Sequence, residues 1–340
     1  MAVPERYLDD SVFERDLRPS GLTWLKHLGF LLLTLVSTTI AGTLFPFGKL
    51  QTLPDTDPQT WPEIFQFIAS MPSRYAGVVA DAVYRLLTDA ESLKYGLSFS
   101  VSLLFILISH EMGHYIACRI YKVDATLPYF IPTPPMIGPA GTFGAFIKIR
   151  SPMPSRKAVF DIGVSGPIAG FIALIPIAII GVATMEPVTA LQAANSTGIV
   201  FSDPLLMQLL GYIRGIDLQM SVGNAFYFAA WVGLLVTALN LIPSGQLDGG
   251  HAIYAVLGKT IHRWTGRVAF VLMATLSLLG WFYFNSPTGF LIAVLLGVMM
   301  RIKHPEPYDQ SPLGASRTAI AVLTLLIFIL CFLPFPIQIK

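Results

Sequence analysis

Three residues within one turn's reach, His110, Glu111 and His114, combine the side chains on which metal-assisted hydrolysis is built. On a helix, residues four apart share a face, so both imidazoles can reach one metal ion while the neighbouring carboxylate faces a water held there. An H-E-x-x-H pentad is short enough to arise by chance on a solvated helix. Here it lies in an apolar stretch, residues 97–118, that is long enough to cross a bilayer. Ionisable groups inside such a stretch cost at least about 2.5 kcal/mol each on insertion scales and by default mark a functional site.

Two histidines leave a catalytic zinc ion short of protein ligands, because such sites usually supply three and keep one position open. The best candidate for the third is Asp248, in the run Asn240-Leu241-Ile242-Pro243-Ser244-Gly245-Gln246-Leu247-Asp248-Gly249-Gly250-His251. Pro243, Ser244 and Gly245 break a preceding apolar helix, and freed backbone groups are tolerated at membrane depth only where protein or a wet cavity satisfies them. Taken alone, Asp248 reads as a loop aspartate before a Gly-Gly turn. His251 is a rival ligand, although the adjacent glycines predict a tight turn there.

The elements that must position these groups are membrane helices. Hydrophobic residues make up 54% of the 340 and charged residues 12%, with a mean hydropathy of +0.65, against about 25% charged in soluble domains. The spans predicted are 25–45, 97–118, 159–185, 226–242, 268–284, 289–300 and 319–335, the sixth being short. With seven spans and the N-terminus inside, 16 of the 22 Lys and Arg residues fall in inner segments and 6 in outer ones, the distribution expected when inner loops are cytoplasmic. The second and fourth spans then run in the same direction, so the pentad and Asp248 both fall towards the inner side, where they could share a site. The first 24 residues are charged and no A-x-A-like site follows the first span, so no cleavable signal is expected. Cys118 and Cys331 lie in spans without a C-x-x-C partner and read as apolar fillers. A net charge of +2 gives no reason to expect nucleic acid.

His110-Glu111-Met112-Gly113-His114 in one span, with N-x-x-P-x-x-x-L-D-G in a later one, resembles the site-2 protease family of intramembrane zinc metalloproteases. The resemblance covers about residues 95–257. It implies one zinc ion per chain held by His110, His114 and Asp248, with Glu111 as the base. It also implies a three-helix core and a short membrane-associated β-hairpin, within an all-α polytopic membrane protein of six or seven transmembrane helices. Ser165-Gly166-Pro167-Ile168-Ala169-Gly170 matches the family's G-P-x-x-G element, and with Gly163 reads first as close helix packing. Gly141-Thr142-Phe143-Gly144-Ala145-Phe146-Ile147-Lys148-Ile149-Arg150 reads as a short strand or, alternatively, a surface loop, with Gly144 and Phe146 as candidate substrate contacts if an unfolded peptide adds to the strand's edge. The extended motifs from Pro128 to Pro132, 141–145 and 150–158 most resemble the subgroup shared by bacteria and chloroplasts, typified by ethylene-dependent gravitropism-deficient proteins. The outer loop 186–221 is too short for a PDZ domain, and nothing after Ala319 could hold CBS domains.

The chain divides into an N-terminal cytoplasmic segment (1–24), a first span with its outer loop (25–94), the catalytic core (95–257) and C-terminal helices (258–340). The substrate implied is a transmembrane protein segment that must unwind before its carbonyls are accessible. Asn240 either holds that extended strand or packs against a neighbouring helix. The expected home is a bacterial inner membrane, with the N-terminus and the active site on the cytoplasmic side, or alternatively a chloroplast membrane. The sequence gives no oligomeric state. A transporter, an inactive scaffold of the same fold and a prenyl-protein type of zincin are the rivals. The first finds only Asp161 as an acid in the other spans, the second is at odds with a complete ligand set and Glu111, and the third lacks a downstream glutamate, since Glu186 and Glu306 lie outside suitable spans. Residues 74–93 predict an amphipathic helix, and Asn195-Ser196-Thr197 matches a glycosylation acceptor.

Overall fold

The computed structural model describes residues 19–48, 50, 58–188, 199–286, 288–302, 304 and 306–339; the Asn195 acceptor and residues 1–18 of the N-terminal segment lie outside them. Nine α-helices of ten or more residues follow among the described residues: α1 (Gly21–Thr43), α2 (Trp61–Thr88), α3 (Ala90–Ile120), α4 (Arg156–Ala183), α5 (Leu205–Arg214), α6 (Ala225–Leu241), α7 (Asp248–Phe284), α8 (Thr288–Met299) and α9 (Ala315–Cys331). Strands β1 (Tyr129–Pro132) and β2 (Thr142–Phe146) form an antiparallel hairpin. The short strands β3 (Glu186–Pro187) and β5 (Ser221–Val222) pair, as do β4 (Ile199–Phe201) and β6 (Ile337–Ile339).

The long helices start where polar side chains satisfy their first free amides. The Asp89 carboxylate accepts from the Glu91 and Ser92 amides at the head of α3. Ser155 does the same for the Ala158 amide at α4, and Asn224 for the Tyr227 amide at α6. Helices α3, α4 and α6 pack on one another as the central unit, around Leu103, Ile106, Leu174 and Leu234, all essentially inaccessible. Their outward faces remain apolar, with Phe105 and Ile172 more than half exposed, as lipid-facing side chains must be. The chain is thus the all-α polytopic membrane protein expected, with its three-helix centre and hairpin.

Span lengths differ from expectation in an instructive way. Four helices, α1, α3, α4 and α7, are long and apolar enough to cross a membrane by length and composition, whereas α6, α8 and α9 are shorter. The 12 residues of α8 reach only about 18 Å, short of a hydrocarbon core of about 30 Å. Helix α7 joins the Asp248 segment to the fifth predicted span across a kink at Gly258, where φ is +82°. The amphipathic helix expected at 74–93 instead begins at Trp61, because Thr60 and Glu63 form a capping box there, and it ends at Thr88, where Asp89 caps the next helix.

Two contacts seat the peripheral elements. Helix α1 carries the hairpin: the His27 ring hydrogen-bonds to the Pro128 carbonyl at 2.8 Å and lies 4.0 Å from the Tyr129 ring, and the Ser37 hydroxyl donates to the Gly141 carbonyl. At the other side, Arg317 of α9 grips both oxygens of Asp161 at the head of α4 at 2.7–3.2 Å, while the Tyr121 hydroxyl donates to the same carboxylate. Asp161, the one acid elsewhere in the spans, is therefore committed to an ion pair.

The G-P-x-x-G region does more than bring helices together. A Cβ on Gly113 would lie 2.4 Å from the Ser165 carbonyl, so α3 and α4 touch backbone to backbone there. One on Gly166 would lie 2.1 Å from His114 Nε2, and one on Gly170 3.1 Å from the His110 Cβ. The glycines on α4 thus make room for the pentad's imidazoles.

Gly166→Ala is expected to displace His114 and lower zinc affinity by roughly tenfold or more, the scale seen when a group that orients a ligand is lost; metal analysis of the purified protein checks it, and unchanged zinc content contradicts it. Arg317→Ala should cost about 2 kcal/mol, the scale of hydrogen bonds to a charged group, read as a lower melting midpoint in detergent.

Candidate metal centre

His110 and His114 lie one turn apart on α3 and are 4% and 7% exposed. Asp248 comes from a different part of the chain, as the first residue of α7. Taken alone, it reads as a loop aspartate. The structure places it on a helix because Gly249 and Gly250, read from sequence as a tight turn, allow the new helix to start against the end of the old one. A Cβ on Gly249 would lie 2.0 Å from the Leu241 carbonyl and one on Gly250 2.5 Å from the Gly245 carbonyl. Between the two helices, Pro243 and Gly245 (φ +56°) reverse the chain.

The three side chains converge. His110 Nε2 lies 3.2 Å and His114 Nε2 3.3 Å from Asp248 Oδ2, and the two imidazole nitrogens are 3.1 Å apart. Ligand atoms about 2.0 Å from a tetrahedral zinc ion are separated by about 3.3 Å, so this triangle has the dimensions of three corners of a zinc site. The donor set, two imidazoles and a carboxylate, also suits that metal. Among the described residues, no other group of three such side chains comes together in this way.

The tautomer of His114 follows from its other nitrogen. Nδ1 lies 2.6 Å from the Ile162 carbonyl of α4 and must donate to it, leaving the Nε2 lone pair directed at the cluster. Asn240, on the last turn of α6, approaches from a third side, its amide 3.3 Å from His110 Nε2. His251 lines the cavity beside these side chains but is not part of the triangle: it sits beside Gly163 on α4 and hydrogen-bonds to His304 at 2.7 Å.

Glu111 is 6% exposed and stands at the wall of a cavity of about 640 Å3 that also reaches His110, His114, Asp248 and Asn240. The opposite wall is the chain that continues beyond β2. Its Lys148 amide donates to the Thr126 hydroxyl and its Arg150 amide to the Asp124 carbonyl, holding it extended. The Ile147 amide points the other way and hydrogen-bonds to the Glu111 carboxylate. Phe146 lines this cavity, while Gly144, at φ +90°, precedes it on the hairpin with open space around it. The Ile162 carbonyl and the Ile147 amide are the parts of the site that sequence reading missed. Both are backbone groups, for which residue type gives no signal.

The chain is 29% identical over 280 residues to the probable zinc metalloprotease EGY1, chloroplastic, of Arabidopsis thaliana, covering 80% of this chain and 48% of that protein. It is 29% identical over 245 residues to the rice (Oryza sativa subsp. japonica) protein of the same name, covering 70% of this chain and 40% of that one. It is 26% identical over 253 residues to the probable zinc metalloprotease EGY2, chloroplastic, of Arabidopsis thaliana, covering 73% and 43%. The chain thus spans about half the length or less of these curated relatives. No solved structure matches with significance. The model for peptidase family M50 matches residues 98–280, more than half of the 340 and the stretch that holds both halves of the triangle, so the chain belongs to peptidase family M50, the site-2 proteases.

Proposed function

We propose that this chain is an intramembrane zinc metalloendopeptidase that hydrolyses peptide bonds within or near transmembrane segments of other proteins. The observation that carries the reading is the triangle of His110 Nε2, His114 Nε2 and Asp248 Oδ2, 3.1–3.3 Å on a side, set beside a buried carboxylate and a cavity of about 640 Å3. His110, His114 and Asp248 would hold one zinc ion per chain. When bound, that ion supplies Lewis acidity, which acidifies water and polarises a carbonyl.

The protein's own groups account for the rest. Glu111 is the proton carrier: its carboxylate takes a proton from the attacking water and passes it to the leaving nitrogen. The Ile162 carbonyl keeps His114 in the tautomer that offers Nε2 to a metal. Asn240 lines the same cavity next to His110, where its amide would steady the unwound strand. Gly144 and Phe146 would meet the same strand where it leaves the cavity along β2. Burial of the cluster between α3, α4 and α6 limits the water that reaches it, so hydrolysis depends on the cavity being wet while the surrounding helices stay dry.

The positive-inside distribution supports an N-terminus and an active site on the cytoplasmic face, in a bacterial inner membrane or on the corresponding face of a chloroplast membrane. The EGY1 and EGY2 relatives described above are named as chloroplastic, which supports the second setting.

Glu111→Gln is expected to retain zinc and lose cleavage of a membrane-tethered test substrate by about 10²–10⁴-fold, the range of general acid–base catalysis; retained cleavage contradicts the role of Glu111. Asp248→Ala should lower zinc content, whereas unchanged metal stoichiometry would remove Asp248 from the ligand set.

A further inference from the structure

A second cavity, of about 610 Å3, lies beside the Gly245 turn, where α7 resumes after the Gly258 kink and meets Met300, Ile302, His304 and Glu306. Its rim carries Lys259, Arg263 and Arg267, spaced four apart so that all three stand on one face of the helix. Its floor is made of His262, His304 and Tyr254, with Tyr254 and His304 stacked at 4.0 Å. Against the three cations stands one lining carboxylate, Glu306, and it is paired with Lys259, whose ammonium holds the Glu306 carboxyl below the usual carboxylate range. Arg263 and Arg267 have no carboxylate partner among the described residues; Arg267 stacks over Trp264 at 5.0 Å. The cavity therefore presents two guanidinium groups whose charge nothing in the described protein neutralises.

The position of this cavity tells what kind of anion it suits. From Val268 to Phe284, α7 carries no charge, and Val268, Val271 and Leu272 are more than half exposed directly beyond the last arginine. Trp264, 59% exposed, sits at the join, as interfacial tryptophans do. A ligand held here would have its anionic end among arginines and an apolar surface running away from it into the bilayer. That is the shape of an anionic phospholipid and not of a free phosphate, which has no use for the apolar track. Basic side chains next to a span on the inner leaflet gain most from such lipids.

We propose that this cavity is a binding site for the phosphate of an anionic phospholipid headgroup, with Arg263 and Arg267 as its principal contacts and the outer face of α7 beyond Val268 as the seat of the acyl chains. The site adjoins the metal centre without sharing residues with the triangle. His262 Nε2 hydrogen-bonds to the Gly245 carbonyl at 3.0 Å, and the His251–His304 hydrogen bond forms the wall between the two cavities. The proposal does not depend on the peptidase reading.

The test uses the full chain purified in nonionic detergent, with dioctanoyl phosphatidylglycerol, dioctanoyl phosphatidylcholine and inorganic phosphate as separate probes. Binding is read by native mass spectrometry and by the melting midpoint. Phosphatidylglycerol is expected to bind and raise the midpoint, and the other two to have no effect at the same concentration. Arg263→Gln, an exposed substitution, should weaken phosphatidylglycerol binding by roughly fivefold and the Arg263→Ala/Arg267→Ala pair by more than about tenfold, while Arg263→Lys/Arg267→Lys retains most of it. Equal binding of phosphatidylcholine would reduce the effect to the acyl chains, equal stabilisation by inorganic phosphate would make the ligand a soluble anion, and full binding by Arg263→Gln would remove the arginines from the site. Each of these results overturns the proposal.

Discussion

Two imidazoles and a carboxylate can share a point inside an apolar helix bundle only if three backbones come closer than ordinary side chains allow. The structure meets that constraint with glycine. Gly113 lets α3 meet the Ser165 carbonyl of α4, Gly166 and Gly170 clear the volume taken by His114 and His110, and Gly249 and Gly250 let α7 begin against the end of α6. Each is a position at which a single Cβ would enter an occupied space. Close approach also brings the Ile162 carbonyl within 2.6 Å of His114, so the contact that builds the core orients the imidazole.

Buried ionisable groups normally destabilise a membrane helix, and their presence here has to be supported by mutual attraction and by the surrounding polar backbone. The broken segment between α6 and α7 supplies part of that support by placing Asp248 and Asn240 at the depth of the pentad. The extended 147–150 segment lines the cavity, its Lys148 and Arg150 amides bonded to Thr126 and Asp124 and its Ile147 amide turned to the Glu111 carboxylate. The irregular backbone of 147–150 and of the turn before Asp248 lines a cavity, the setting in which a bilayer tolerates it.

The pentad, the third candidate ligand and the all-α membrane architecture were legible because they depend on side-chain chemistry at fixed spacing and on long apolar runs. The glycines of α4 were legible as a motif but not in their purpose: 163, 166 and 170 read as a packing stripe, and only coordinates show that the packed objects are histidine rings. Asp248 stood out as the preferred third ligand, but its place at the head of a helix was not legible, because Gly-Gly is a turn signal in isolation and a close-approach signal in context. The start of α2 was missed because the amphipathic pattern is weak before Arg74, while the capping box at Thr60 and Glu63 is a local signal that pattern reading passed over. Helix length within the predicted spans was less legible, because hydropathy reports an apolar stretch and not how much of it is helical, and α8 has only 12 residues.

The central claim is that His110, His114 and Asp248 form one zinc site. X-ray absorption spectroscopy at the zinc edge of the purified, zinc-loaded protein tests it most directly. The account predicts two imidazole nitrogens and oxygen ligands at about 2.0–2.2 Å, a spectrum altered by Asp248→Asn and unaltered by His251→Ala. Three imidazoles around the metal, with the His251→Ala spectrum changed and that of Asp248→Asn unchanged, would contradict it.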